Sequence, residues 1–326
     1  MTRTLFSKRL GRVIEDIPSL RTAAWMLEAA LLGLLWLISS CLTPAAASRL
    51  GATFMATFGP LVSRNKTLLA NLAVMFPDLS EQERRRLARR VWANLGAVTA
   101  EYPHLRFIIT SRVKLHITDA ARRVMEGREP AVYMAGHLAN WEVIAGCIVR
   151  QGIPVSVVYN PQQNRFLDRM IQYQRRAIGC EFIIKGDAFR QIIQALSQQR
   201  SIGILPDQRA DAGPGLPFFG REAPTTVIPA RLAHRVGCPV IPIRAERLPG
   251  CWFRITFDDP IDIHRELKGK EASFKTTGEF LERLEGWIRE HPEQWLSVKR
   301  RWPKDRPKDR DEETLDAHAD HANAAD

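Results

Sequence analysis

From residue 131 onward, short β-branched runs alternate with longer segments of helical period, and this alternation restricts the fold more than any other feature. The runs occupy 131–135, 154–159, 181–184, 201–205, 239–244 and 253–257. Helix-period segments lie between or after them at 140–150, 165–178, 187–199, 226–236 and 273–290. Such a pattern predicts an α/β fold with a mixed, largely parallel sheet flanked by helices. Upstream, Ser80 and Glu83 have the spacing of a capping box. They predict a helix from Glu81 to about Asn94 that carries Arg84, Arg85, Arg86, Arg89 and Arg90. That arginine run reads as a solvated face or as a contact for anionic headgroups or an acidic carrier.

The N-terminal part is different. Residues 1–22 hold five basic and two acidic side chains, and residues 23–42 are apolar except for Glu28. A spanning helix needs roughly 20 apolar residues, so this stretch is long enough only at the margin. A cleaved signal peptide conflicts with the length of the basic region. Leu and Ala on all sides argue against a buried core helix. A spanning anchor and a partly inserted interfacial helix both stay open. The tail from 303 has four basic and eight acidic residues and almost no large apolar ones, a composition that predicts disorder. The chain thus divides into a basic anchor region (1–50), a main folded domain (51–302) and a charged tail (303–326). The net charge of +11 rises to about +15 without the tail, which favours an anionic partner. No nucleic-acid-binding motif accompanies it. The five cysteines are widely spaced with no CxxC pair, so they read as reduced and mostly buried, not as a zinc or disulfide scaffold.

The segment Gly136-His137-Leu138-Ala139-Asn140-Trp141-Glu142 directly follows the first predicted strand. His137 and Glu142 are five apart, so they cannot share a helix face. With His137 in the strand-to-helix loop and Glu142 reaching back, the carboxylate would fix the imidazole tautomer and make His137 a general base. The alternative is a structural histidine with a helix-dipole glutamate. HExxH, G-x-S-x-G, Walker A and GxGxxG motifs are all absent from the sequence. A histidine base would then activate a hydroxyl supplied by the substrate. After Asn164, Arg165, Arg169 and Arg176 fall on one helical stripe suited to lipid phosphates, or to solvent. Arg175 lies off that stripe, so one of the adjacent pair should face the site. Leu216, Phe218 and Phe219 read as core packing or as the lining of an acyl groove; Trp295, Trp302 and the 299–301 basic run read as core closure or interface.

Four blocks in order resemble the bacterial lipid A late acyltransferases, over roughly residues 20–302. They are GHLANWEV, with the H-x4-E/D pattern; VVYNPQQNRFLDRMIQYQRRAIGCEFI; GILPDQRADAGPGLPFFGREAPTT; and HPEQWLSVKRRW. EYPHL at 101–105 is similar to α-proteobacterial members. The resemblance implies a glycerolipid-acyltransferase-like fold with an N-terminal membrane-anchoring helix, on the cytoplasmic side of the inner membrane. It implies an O-acyltransferase that moves a fatty acyl chain from acyl carrier protein to the 3-OH of a hydroxyacyl chain on a lipid A precursor. His137 would be the base and Glu142 its partner. Arg175 or Arg176 would serve the oxyanion, and Asn140, Arg165, Arg169, Asp207 and Arg209 would contact substrate. No metal or other cofactor is implied beyond the acyl carrier protein co-substrate. Another glycolipid acceptor, as in mycobacterial phosphatidylinositol mannoside acyltransferases, or a glycerolipid is the alternative. A non-catalytic basic protein of membrane surfaces or nucleic acid is a third reading.

Overall fold

The computed structural model describes residues 17–184 and 188–303. The basic residues before Ile17 and the charged tail after Pro303 lie outside the described residues. Five helices come first: α1 (Pro18–Ser40), α2 (Pro44–Phe58), α3 (Asn65–Met75), α4 (Glu81–Glu101) and α5 (Leu105–Ser111). The α/β part follows as β1 (Val113–Ile117), α6 (Asp119–Glu126), β2 (Val132–Ala135), α7 (Glu142–Arg150), β3 (Val155–Tyr159), α8 (Arg165–Arg175), β4 (Glu181–Ile184), α9 (Ala188–Ser197) and β5 (Ser201–Ile204). The hairpin β6 (Gly215–Phe218) and β7 (Arg221–Pro224) precedes α10 (Ile228–Val236), β8 (Val240–Leu248), β9 (Trp252–Phe257) and α11 (Gly269–Glu290). All six expected strands form. The strand β1 and the hairpin are additions, their signals weakened by exposed Lys114 and His116 and by Pro217 and Pro224.

The seven-stranded sheet has the order β1-β9-β8-β2-β5-β3-β4. Every pairing is parallel except β8 with β9. Its middle strands are buried on both faces, as helix-covered parallel sheets require: all four residues of β2 are buried. The chain leaves β2 through α7 toward β3, and leaves β5 through the hairpin and α10 toward β8. Neighbouring strands therefore send their connections in opposite directions. In open α/β sheets this switch point opens a crevice at the carboxyl ends of the strands.

Two apolar cores lie on the two faces, one under α3, α9, α10 and α11 and the other under α5, α6 and α7. Helix α4 joins them. Its Leu87, Val91 and Trp92 belong to the first core, and Val98 and the following Tyr102 to the second. The capping box is present, with the Ser80 hydroxyl accepting from Glu83 N and the Glu83 carboxylate accepting from Ser80 N. The helix runs to Glu101 and not to Asn94, because its second half is held by α2. There the two helices meet at glycines: a Cβ on Gly96 would lie 2.1 Å from the Gly51 carbonyl oxygen.

Helix α1 corrects one sequence expectation. Its apolar residues do not surround it evenly. Leu20, Met26, Leu27, Leu31, Leu34, Leu37 and Ile38 are exposed, whereas Trp36 and Ser39 are buried against the domain.

Gly96→Ala is expected to lower the urea-unfolding free energy by about 1–3 kcal/mol, the usual range for overpacking. Gly278→Ala, in α11 with nothing within 4 Å of the new methyl, should raise it by about 0.5–1 kcal/mol through helix propensity alone. Equal effects of the two substitutions would contradict the close approach of α2 and α4.

Candidate active site

Three segments meet at the switch point. The loop after β2 carries His137. The loop after β5 carries Asp207 and Gln208. A strap at residues 294–296 pairs antiparallel with the β2 loop: Ala139 N donates to the Gln294 carbonyl at 2.9 Å, and Leu296 N donates to the His137 carbonyl at 2.9 Å. Ala139 holds a positive φ of 49°, which costs free energy for a non-glycine residue. Its backbone is pinned on both sides, since Asn94 Nδ2 also donates to its carbonyl at 3.2 Å.

The carboxylate on His137 is that of Asp207. His137 Nδ1 lies 2.7 Å from Asp207 Oδ1, and His137 N donates to Oδ2 at 2.9 Å. Trp295 Nε1 donates to the same Oδ2 at 2.8 Å. Asp207 is fully buried. Burial alone would push its pKa up, but the His137 ring and the three N–H donors outweigh it and hold the carboxyl below its usual range. An ionised carboxylate only accepts hydrogen bonds, so Nδ1 of His137 carries the proton. On the other side of the ring, Gln208 Nε2 lies 3.2 Å from His137 Nε2. Lys299 Nζ donates to Gln208 Oε1 at 2.9 Å, which turns the amide nitrogen toward the imidazole. In the tautomer with its proton on Nδ1, Nε2 is the acceptor that faces this amide. The His137 side chain is 16% exposed.

The expected contact between His137 and Glu142 is not made. Glu142 is buried and bound by Arg175, whose Nε donates to Oε2 at 2.9 Å and Nη2 to Oε1 at 2.6 Å. Tyr102 Oη and Trp141 Nε1 also donate to Oε1, at 2.9 and 3.1 Å. Trp141 links the two clusters, because its ring also lies 5.2 Å from that of His137. The reason is the helix start: Glu142 begins α7, and its carboxylate is directed toward α4 and α8. Arg175 is the member of the adjacent arginine pair that faces inward. Its charge is held by Glu142 against the cost of burial. Arg176 is exposed and lies over the Tyr173 ring at 5.3 Å.

Asn140 lies between Glu101 and Glu142. It is fully buried, donates from Nδ2 to Glu101 Oε2 at 2.8 Å and accepts from Glu142 N at 3.2 Å. Its amide is occupied at both ends by protein, which ties the loop to Glu101 and to the start of α7. Asp207 is likewise taken up by protein donors. Arg209 lies at the rim, donating to Asp211 Oδ1 at 2.5 Å and to the Trp302 carbonyl at 3.3 Å. Arg165 and Arg169 are exposed on α8, with Arg176 in the turn after it. Phe218 and Phe219 are core residues, Phe218 stacked on Trp302 at 5.8 Å.

A second buried ion pair supports the loop. Arg247, at the carboxyl end of β8, binds Glu101 through both terminal nitrogens and donates from Nε to Asn94 Oδ1 at 2.8 Å. Burial pushes the Glu101 carboxyl up, while Arg247, Ser48 and Asn140 more than offset this and leave it lowered. Gln208, Trp295, Trp141, Glu101 and Arg247 were not singled out as site residues from the sequence. For Gln208 a signal existed, since it adjoins Asp207 just after a strand end.

An imidazole backed by a buried carboxylate, at the carboxyl edge of a parallel sheet, is chemically able to take a proton from a hydroxyl. Residues 16–304 match the family model described as bacterial lipid A biosynthesis acyltransferase, and the chain belongs to that family. It is 24% identical over 288 residues to a lipid A biosynthesis palmitoleoyltransferase of Escherichia coli (strain K12), covering 85% of this chain and 90% of that protein. It is 25% identical over 189 residues to a lipid A biosynthesis myristoyltransferase of the same organism, covering 56% and 58%. A lipid A biosynthesis acyltransferase of Shigella flexneri is 24% identical over 288 residues.

Two tests follow from the buried pairs. Arg175→Met leaves a buried carboxylate without its cation, and such a break is expected to cost about 3–5 kcal/mol in urea unfolding. Arg175→Met combined with Glu142→Gln should recover part of that loss; a double variant as unstable as the sum of the singles would contradict the pairing. The second test concerns acid. Glu101 has a lowered folded pKa, so its stabilisation is present above the unfolded value of about 4 and is lost as pH falls through the folded one. Below about pH 4 the unfolding temperature should therefore drop more steeply for the wild type than for Glu101→Gln. Parallel curves would contradict the assignment.

Proposed function

We propose that the chain transfers a fatty acyl group from the thioester of acyl carrier protein to a hydroxyl on a hydroxyacyl chain of a lipid A precursor. The observation that carries this is the His137–Asp207 pair with Nε2 held as an acceptor at the mouth of the switch-point crevice. The acceptor hydroxyl would displace the Gln208 amide at Nε2 and give up its proton there. Asp207 stabilises the imidazolium that forms. The alkoxide attacks the thioester carbon, and the tetrahedral oxyanion needs a positive or N–H-rich pocket. Arg175 is the candidate for it, its charge maintained by Glu142 beside Trp141. On collapse the C–S bond breaks and the thiolate of the carrier leaves, taking the proton from His137. No covalent acyl-enzyme, metal or other cofactor is needed.

The basic body suits both substrates, since acyl carrier protein and a phosphorylated glycolipid are anionic. The sheet, with helices on both faces, is consistent with the glycerolipid-acyltransferase-like class. The exposed apolar residues of α1 support attachment to a membrane, which we assign to the cytoplasmic face of the inner membrane.

The test is lipid mass spectrometry on a Gram-negative host that lacks its own late acyltransferases. Wild-type chain is expected to add one secondary acyl chain to lipid A. His137→Ala should reduce that product by about 10²–10⁴-fold, the usual contribution of a general base. Unchanged lipid A with the protein present in membranes would move the acceptor to another glycolipid. Acylation that survives His137→Ala would overturn the mechanism.

A further inference from the structure

We infer that α1 does not cross the bilayer but lies in the plane of one leaflet, which carries anionic phospholipid and is the leaflet that faces the catalytic domain. The inference rests on the membrane attachment proposed above and fixes its geometry. It follows from which side of α1 is polar. The exposed positions Leu20, Met26, Leu27, Leu31, Leu34, Leu37 and Ile38 recur at helical spacing and form one wholly apolar face. The polar groups point the other way, into the protein. Asn164 Nδ2 donates to the Trp25 carbonyl at 2.9 Å and to Glu28 Oε2 at 3.0 Å. Trp36 Nε1 donates to the Thr99 carbonyl at 2.8 Å, and His104 Nε2 to the Ser39 carbonyl at 2.9 Å. The only acidic residue of the helix is thus partnered by the domain and not by lipid.

These contacts run from Trp25 to Ser39, along most of the 23-residue helix. At a rise of 1.5 Å per residue the helix is about 34 Å long. To span, it would have to carry the docked parts of α8 and α4 into the hydrocarbon. Helix α8 and the turn after it present Arg165, Arg169 and Arg176 to solvent, which are costly at that depth. Laid flat, the same arginines sit at headgroup level. Arg169 lines a cleft of about 320 Å³ with Trp36, Met170, Tyr173 and Gln174, between α1 and α8. Helix α2 continues the apolar face with Leu50, Phe54 and Phe58, and Leu61 is 80% exposed just beyond it. Arg49, Arg64 and Lys66 are exposed around this second patch. An oily face rimmed by cations on both sides fits an anionic leaflet.

Thiol labelling tests this in the full-length protein. Ser40→Cys and Thr22→Cys, each in a Cys41→Ser background, supply probes at the two ends of α1 beside the apolar face and not within it. Membrane vesicles of both orientations are treated with a membrane-impermeant maleimide, with the Cys41→Ser chain as the background. Both ends are expected to label in the vesicles that expose the catalytic domain, and neither end in the opposite orientation. Any other pattern, labelling from opposite sides above all, overturns the in-plane placement. In addition, Leu34→Glu with Leu37→Glu should weaken binding of purified protein to phosphatidylglycerol vesicles roughly tenfold or more; unchanged binding would also overturn it. Opposite-side labelling with acyl transfer intact would remove only the orientation. A chain that neither partitions to membranes nor modifies lipid would remove the reading on which it rests.

Discussion

The buried carboxylate of Asp207 is the contact on which the site depends. It receives three N–H groups, two from His137 and one from Trp295. Those donors come from the loop after β2 and from the strap after α11, while Asp207 itself follows β5. One ionised side chain thus ties together three segments far apart in sequence. A fully buried carboxylate survives only when such donors compensate its desolvation. The same contacts that make the burial tolerable also fix the imidazole tautomer, so local stability and chemistry have one origin.

Around this centre two further ion pairs set the shape of the β2 loop. Glu142 with Arg175 fastens the start of α7 to α8, and Glu101 with Arg247 fastens the end of α4 to β8. Asn140 joins them, one end of its amide on each side. This arrangement gives Ala139 its left-handed backbone and sets His137 at the crevice edge. Helix α4 can reach both pairs because it crosses from one core to the other over the carboxyl edge of the sheet. The close passage of Gly51 and Gly96 is what allows that path.

The fold was largely legible in the sequence because β-branched runs buried on both faces leave a plain signal. Strand β1 was not, since its middle residues are exposed, and neither was the hairpin, whose prolines mask its pairing. The segments that meet at the crevice were legible, but not which of their side chains pair. His137 and Glu142 look coupled because they are close along the chain. Asp207 is 70 residues from His137, and only the side-by-side placement of β2 and β5 brings the two together. Spacing put Arg175 and Arg176 on different sides of the helix, because helical periodicity is a local rule, but it did not choose between them; the structure turns Arg175 toward Glu142 and leaves Arg176 exposed. Spacing also showed Arg165, Arg169 and Arg176 as one stripe, and that stripe is exposed. For α1, composition alone hid the division into a docked face and an oily one, because Thr22, Glu28 and Ser39 are few among many leucines and alanines.

In the proposed reaction His137 works as a base through Asp207 and not through Glu142. A double-mutant cycle in an acyl-transfer assay measures that most directly. In the wild-type background Asp207→Asn is expected to slow turnover by about 10²–10⁴-fold. In the His137→Ala background the same substitution should cost almost nothing more, because the two residues act as a unit. Full additivity, or an Asp207→Asn enzyme with near-wild-type turnover, would contradict the account.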